Sequence, residues 1–73
     1  MDLNTPEEIA SHYRRAMDSV TVINELMAKD ERDAEEVDKV NRNVTHLEVM
    51  VAKDFWTTED LSPFNDAIAA GKA

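Results

Sequence analysis

The chain has 73 residues, with 16 acidic and 8 basic side chains that give a formal net charge of -8. A chain of this length forms one small domain, whose core supplies only ~3–5 kcal/mol of net stability, and the absence of cysteine excludes disulfides and Cys-ligated metal centres. Because an acidic surface repels phosphate groups, we expect no direct binding to nucleic acid or to anionic membranes.

The N-terminal sequence, MDLNTPEE, has neither the basic region nor the apolar region of a signal peptide. No apolar run in the chain approaches the ~18 residues of a membrane span. We therefore predict a cytoplasmic protein that has no membrane contact. No sequence pattern indicates a cofactor.

A first helix is predicted at about residues 6–28, and the sequence Thr5-Pro6-Glu7-Glu8 marks its start. Thr at the N-cap, Pro at the first helical position and Glu at the third are the residues of a capping box. Apolar or small side chains follow at spacings of three and four, which places them in a row, the apolar seam, along one helical face. They are Ile9, Tyr13, Ala16, Val20, Ile23 and Met27.

The charged stretch AKDERDAEE, residues 28–36, predicts a turn at about residues 29–33. Asp33 and Glu36 have the spacing of an N-cap and the third residue of a helix. The apolar seam also slips by one residue across this stretch. Since no glycine or proline forces a break, one long continuous helix is the alternative to a helical hairpin, which we favour.

A second helix is predicted at about residues 34–56. Its apolar seam consists of Val37, Val40, Val44, Leu47 and Val51. Its second half carries another apolar stripe, formed by Val49, Ala52 and Trp56, that one neighbouring helix cannot cover. Contiguous exposed apolar surface marks a docking site, either within the chain or for a partner.

A short third helix is predicted at about residues 63–70, with Ser62 as its N-cap and Gly71 as its stop. Folded back, it would cover the second stripe, and a second chain could cover the same stripe instead. The candidate interface residues are therefore Val49, Ala52, Phe55, Trp56, Leu61, Phe64 and Ile68. The predicted fold is all-α, an antiparallel two-helix hairpin with a short third C-terminal helix packed back on it.

The histidine and acidic side chains show no sequence pattern of a catalytic or metal site. We interpret His12 and His46 as surface or boundary residues, because neither has a converging set of ligands. The acidic residues near the turn lack the glycine and the oxygen spacing of a calcium loop, so they are a candidate acidic contact face. They are Asp30, Glu31, Asp33, Glu35, Glu36 and Asp38. We predict no catalytic residues and no enzyme.

The C-terminal half carries an N-x-x-H-L-E helix, from Asn43 to Glu48, followed by Phe55-Trp56-Thr57 and then by Asp60-Leu61-Ser62-Pro63. In these features the chain resembles short acidic proteins of unassigned function from tailed bacteriophages and prophages. The resemblance implies a viral or prophage origin, a location in the host cytoplasm, and an accessory or host-takeover role. It implies no catalytic residues.

Two functions are predicted. The first is a non-enzymatic protein-interaction or assembly module that binds a protein partner or forms a homodimer, because the segment from Val44 to Trp56 has more apolar surface than one helix can cover. The second is an acidic inhibitor that mimics DNA and binds a host nucleic-acid-binding protein through the row of carboxylates from Asp30 to Asp38.

Overall fold

The computed structural model describes residues 5–56 and 59–73. Within these residues the chain forms three helices, α1 (Pro6–Met27), α2 (Ala34–Val51) and α3 (Ser62–Lys72), and no strand. Helices α1 and α2 form a hairpin, and α3 packs against both. The predicted all-α fold is therefore confirmed, and the alternative of one continuous helix is wrong.

Helix α1 begins where the capping pattern predicts. The hydroxyl of Thr5 accepts a hydrogen bond from the backbone N–H of Glu8 at 3.2 Å, and Pro6 is the first helical residue. The ring of proline fixes φ near the helical value and has no N–H that would need a partner at this position. The start of α1 is therefore determined by local sequence alone.

The turn between α1 and α2 is closed by polar groups that are neighbours in the sequence. Asp33 and Glu36 form a complete capping box, in which each side chain accepts from the other residue's backbone N–H, at 2.8 and 3.1 Å. The guanidinium of Arg32 donates to the carbonyl oxygens of Leu26 and Lys29, at 3.1 and 2.8 Å. These bonds satisfy free backbone groups at the start of α2 and give the Leu26 carbonyl a second donor, beside the backbone N–H of Lys29 at 3.2 Å.

One core lies where the three helices meet. Its largest fully buried side chains come one from each helix, namely Ile23, Leu47 and Phe64. Most residues of the two apolar seams lie in this core or pack against it, as their spacing of three and four predicts. Val37 is an exception, because it is 45% exposed although it was predicted in the seam of α2. The buried apolar residues are Ala16, Val20, Ile23, Val40, Val44, Leu47, Met50, Phe64 and Ala67.

Helix α2 ends at Val51 rather than at Trp56, so the predicted C-terminal boundary is wrong. The indole Nε1 of Trp56 donates to the carbonyl oxygen of Met50 at 2.8 Å, and the backbone N–H of Lys53 donates to the same oxygen at 3.1 Å. In a continued helix that oxygen would accept from residue 54 instead. The chain therefore turns back after Val51. Thr57, which follows Trp56 in the Phe55-Trp56-Thr57 pattern, lies outside the described residues.

Helix α3 is longer than predicted and begins differently. Its N-cap is Leu61, which makes no side-chain cap bond, so the prediction that Ser62 is the N-cap is wrong. The carboxylate of Asp60 accepts from the backbone N–H of Ser62 at 2.9 Å and satisfies one of the free donors at the start of the helix. Pro63 remains in the first turn of α3, as expected.

Gly71 lies inside α3 and does not end it, contrary to the prediction. Its φ is not positive, so conformational freedom is not the reason for a glycine here. A Cβ atom at this position would collide with the Cγ2 atom of Val44 and lie 3.3 Å from the Cγ1 atom of Val40. The missing side chain therefore lets the C-terminal part of α3 approach α2 closely.

Candidate interaction surface

The predicted interface residues do not form one surface. Val49 is 52% exposed and Ala52 is also exposed, so α3 does not cover the second stripe of α2 as expected. The reason is that α2 ends before the stripe is complete and α3 packs on the apolar seams instead. Phe64 is fully buried in the core. The remaining predicted residues are half-buried and pack against the core: Phe55, Trp56, Leu61 and Ile68.

An aromatic cluster, formed by Tyr13, Phe55, Trp56 and Phe64, closes the end of the bundle opposite the turn. The Trp56 ring lies 4.7 Å from Phe55, 6.0 Å from Tyr13 and 6.2 Å from Phe64, measured between ring centroids. The rings meet at edge-on or tilted angles, which are favourable geometries for aromatic pairs. His12 stacks on the outer ring, Phe55, with centroids 5.2 Å apart.

Two hydrogen bonds fix the polar ends of this cluster. The Tyr13 hydroxyl donates to the backbone carbonyl of Asp60 at 2.9 Å, and the Trp56 indole donates to Met50 as described above. Both side chains thus have a partner for their polar atoms, while their rings stay only partly covered. Asp60 is therefore attached to α1, and Trp56 is attached to the end of α2.

Beside the cluster, a pocket of about 420 Å³ lies between the start of α1 and the segment that precedes α3. Its walls combine apolar groups with two carboxylates. Hydrogen bonds from the side chain and the backbone N–H of Ser62 hold the pKa of Asp60 below its ordinary value, so this carboxylate is charged at neutral pH. The lining residues are Pro6, Ala10, Tyr13, Glu59 and Asp60.

The candidate acidic contact face lies on the turn and the first turns of α2, and part of its charge is compensated within the chain. Glu36 pairs with Lys29, and this hydrogen bond, followed by the bond from the backbone of Asp33, lowers the pKa of Glu36. Asp38 pairs with Arg42 at 2.7 Å. Two cations therefore interrupt the row of carboxylates that the sequence suggests.

Ser19 is a buried polar residue, and it was not predicted to lie in the core. It is 5% exposed, and its hydroxyl shares a hydrogen bond of 2.8 Å with Nδ1 of His46 across the α1–α2 interface. The bond gives a partner to a polar group that lies within the apolar core. One sequence signal was present, because position 19 follows Ala16 by three residues and precedes Ile23 by four.

The histidines lie at the boundary of the core, as predicted, and they do not share a ligand set. His12 belongs to the aromatic end and His46 to the contact between α1 and α2. Across residues 5–56 and 59–73, no group of three or more His, Cys, Asp or Glu side chains could hold a metal ion.

Comparison of the chain with known protein families, with curated proteins and with solved structures found no match. The resemblance to short acidic phage proteins therefore stays a prediction. None of the helices in the described part of the chain is both long enough and apolar enough to cross a membrane.

Proposed function

We propose that this chain is a small protein-interaction module and that its binding surface is the aromatic end of the bundle. The observation that carries the proposal is that Phe55 and Trp56 stay half-exposed although several contacts hold them in place. Tryptophan and tyrosine are enriched among the residues that contribute most to protein–protein binding. A surface of this kind suits either a different protein or a second copy of the chain.

The rigidity of these rings supports the proposal. Binding that must first order a side chain loses ~0.5–1.5 kcal/mol for each mobile side chain at the interface. The Trp56 ring already has a fixed hydrogen bond and three ring neighbours, so little further ordering is needed when a partner binds. A viral or prophage origin and a cytoplasmic location are part of the proposal and rest on the sequence.

Photo-crosslinking tests this function directly. A benzoylphenylalanine at position 55 keeps an aromatic ring there, and the same group at the exposed position Asp66 on α3 serves as the matched control. In the cell that makes the chain, we expect adducts of defined mass from position 55 and none from position 66. A folded protein that gives no adduct at 55, or the same adducts at both positions, contradicts the proposal.

The homodimer is one outcome of this test. If the partner is a second copy, the adduct has twice the mass of the chain and sedimentation velocity shows a larger particle at higher concentration. A constant monomer mass across the dilution series excludes the homodimer and leaves a different protein as the partner.

An acidic inhibitor of a nucleic-acid-binding protein is the second candidate function. It is favoured by the net charge of -8 and by the exposure of Asp30, Glu31 and Glu35 near the turn. Binding through this face should weaken steeply as salt is added, because the attraction is between charges that solvent screens. The experiment is to capture basic proteins on the chain at low salt and to repeat the capture with a double variant, Glu31→Gln and Glu35→Gln. If the double variant captures as much as the natural sequence, this candidate is contradicted.

A further inference from the structure

We propose that the partner at the aromatic end is a second copy of this chain, which binds to the segment from Val49 to Phe55, called the docking segment. The inference rests on the proposed function and names the partner. The two copies are related by a twofold axis, so every contact from one copy to the other is made twice.

The docking segment carries apolar side chains that the three helices leave uncovered. Val49 is 52% exposed, and Ala52, three residues later on the same side of the chain, is exposed as well. Phe55 follows after three more residues and stays half-exposed, although His12 stacks on its ring. Contact with a second copy would remove this apolar surface from water, which is the main favourable contribution to protein association.

Two opposite charges lie within the docking segment. Lys53 and Asp54 are adjacent and exposed, and no ion pair in the described part of the chain involves either of them. Across a twofold axis, Lys53 of one copy can pair with Asp54 of the other, and the reverse pair forms at the same time. The segment is therefore complementary in charge to itself.

The backbone around these two charges is held in place. The backbone N–H of Lys53 donates to the carbonyl oxygen of Met50 at 3.1 Å, and the indole of Trp56 donates to the same oxygen at 2.8 Å. Lys53 and Asp54 thus lie between two attachments to the end of α2. Association loses less conformational entropy when the groups that meet are already positioned.

The distribution of charge also favours this place for contact between two copies. A net charge of -8 drives copies of the chain apart, and this repulsion is smallest where the local charge is balanced. The stretch from Asp30 to Asp38 has six acidic residues and one basic residue, whereas the docking segment has one of each. Glu48, the charged residue just before the segment, pairs with Lys72.

Sedimentation velocity of the full chain over a dilution series tests whether two copies associate. We expect a particle of twice the chain mass at high concentration. Val49→Gln should weaken the association about tenfold, because it places a polar amide in the apolar contact. Val37→Gln is the matched control, since Val37 is also an exposed valine of α2, and it should have no effect. A monomer at every concentration, or equal losses in both variants, overturns the proposal.

Charge reversal separates the reciprocal ion pairs from the effect of net charge. Lys53→Asp makes the chain more acidic and Asp54→Lys makes it less acidic, so net charge alone predicts opposite effects on association. We expect both variants to weaken association at least tenfold, because each brings like charges together across the axis. Stronger association of Asp54→Lys overturns the proposal.

An equimolar mixture of these two variants gives the sharpest test. One variant has acidic side chains at both positions and the other has basic side chains at both, so one copy of each can form both ion pairs. We expect the mixture to recover the particle of twice the chain mass, although each variant alone is monomeric. Circular dichroism checks that both variants keep the three helices. A mixture of folded variants that stays monomeric overturns the proposal.

The crosslinking result at position 55 separates failure of this proposal from failure of the proposed function. Adducts that contain a different protein, from a chain that is monomeric at every concentration, leave the interaction module standing and exclude the second copy as its partner. The absence of adducts at position 55 removes the module itself.

Discussion

The two ends of the bundle are closed by different kinds of contact. At the turn end, the bonds join residues close in sequence, such as Asp33 with Glu36, three positions apart, and Arg32 with Leu26, six positions apart. At the aromatic end, the Tyr13 hydroxyl reaches the carbonyl of Asp60, 47 positions away. The turn end therefore joins α1 to α2 through local contacts, and the aromatic end holds the three helices together through contacts between residues that are distant in sequence.

This difference also separates the two candidate binding surfaces. The turn end exposes carboxylates that are partly compensated by Lys29 and Arg42, beside the half-exposed side chain of Val37. The aromatic end exposes rings that are held by distant parts of the chain. A surface built from distant segments exists only in the folded protein, so a loss of packing at that end should remove binding along with stability.

The largest effect is expected at the point where the aromatic end joins the core. Phe64 is fully buried, and Phe64→Ala should lower the free energy of unfolding by about 3–5 kcal/mol, because it removes a large buried side chain and leaves a cavity. Because this loss is about as large as the whole net stability expected for a chain of this length, circular dichroism without urea should already show a largely unfolded variant. Phe64→Leu is the control and should cost much less; a small loss in Phe64→Ala would mean that the aromatic end does not support the core.

The close approach of α3 to α2 predicts a smaller loss. Gly71→Ala should destabilise the protein by about 1–3 kcal/mol through overpacking against Val44. In an ordinary exposed helix the same change would stabilise by about 0.5–1 kcal/mol. The sign of the change in melting temperature therefore decides whether this contact is tight. In a double-mutant cycle, Gly71→Ala should cost less in a Val44→Ala background than in the natural sequence, because the smaller side chain removes the collision.

A single hydrogen bond at the aromatic end can be removed with little change in packing. Trp56→Phe keeps a ring but leaves the carbonyl of Met50 with only the backbone N–H of Lys53 as a donor, which should cost about 0.5–1.5 kcal/mol. Hydrogen exchange should then show faster exchange for amides near the end of α2, and amides at the start of α2 should be unaffected. Faster exchange at both ends would show that the two ends are not independent.

The matching change at the turn end is loss of the capping box. Asp33→Ala removes the acceptor for the Glu36 N–H and should destabilise by about 0.5–2 kcal/mol, with Asp33→Ser as the control that keeps a capping oxygen. Thermal melts of the two variants measure the difference. If Asp33→Ala also changed the mass or the binding of the protein, the proposed separation of the two ends would be wrong.

Acid should weaken both ends, by small amounts. The pKa of Glu36 at the turn end and that of Asp60 at the aromatic end are both lowered by hydrogen bonds that form on folding, from ordinary values of 4.5 and 3.8. Each contribution is complete above the ordinary value and is lost as the pH falls through the lowered one. The melting temperature should therefore fall on acidification below about 4.5. Glu36→Gln and Asp60→Asn should each make that fall shallower.

The sequence predicts the starts of α1 and α2 well because their signals are local. Thr5 and Asp33 cap the helices that they were expected to cap, and the slip of the apolar seam indicates a hairpin. The end of α2 could not be predicted from helix signals, because it depends on a hydrogen bond from the Trp56 indole, which lies outside the helix, to the carbonyl of Met50. Glycine is the usual helix stop, and only the neighbouring Val44 reveals that Gly71 serves close packing instead.

The candidate site is predictable only in part for the same reason. Phe55 and Trp56 stand out in the sequence as large aromatic residues near the end of an apolar stretch. The pocket cannot be recognised in the sequence, since the contact between Tyr13 and Asp60 is needed to bring the start of α1 beside residues 59 and 60. No periodicity within one helix can indicate a contact between segments so far apart.

Trp56 is the only tryptophan of the chain, and it lies at the end where binding is proposed. Its fluorescence therefore reports on the environment of the aromatic end without any added label. Detachment of the indole from Met50 would expose the ring to water and move its emission to longer wavelength, while circular dichroism follows the three helices. A melt in which the emission changes before the helical signal would identify local opening of the aromatic end as a step that precedes global unfolding.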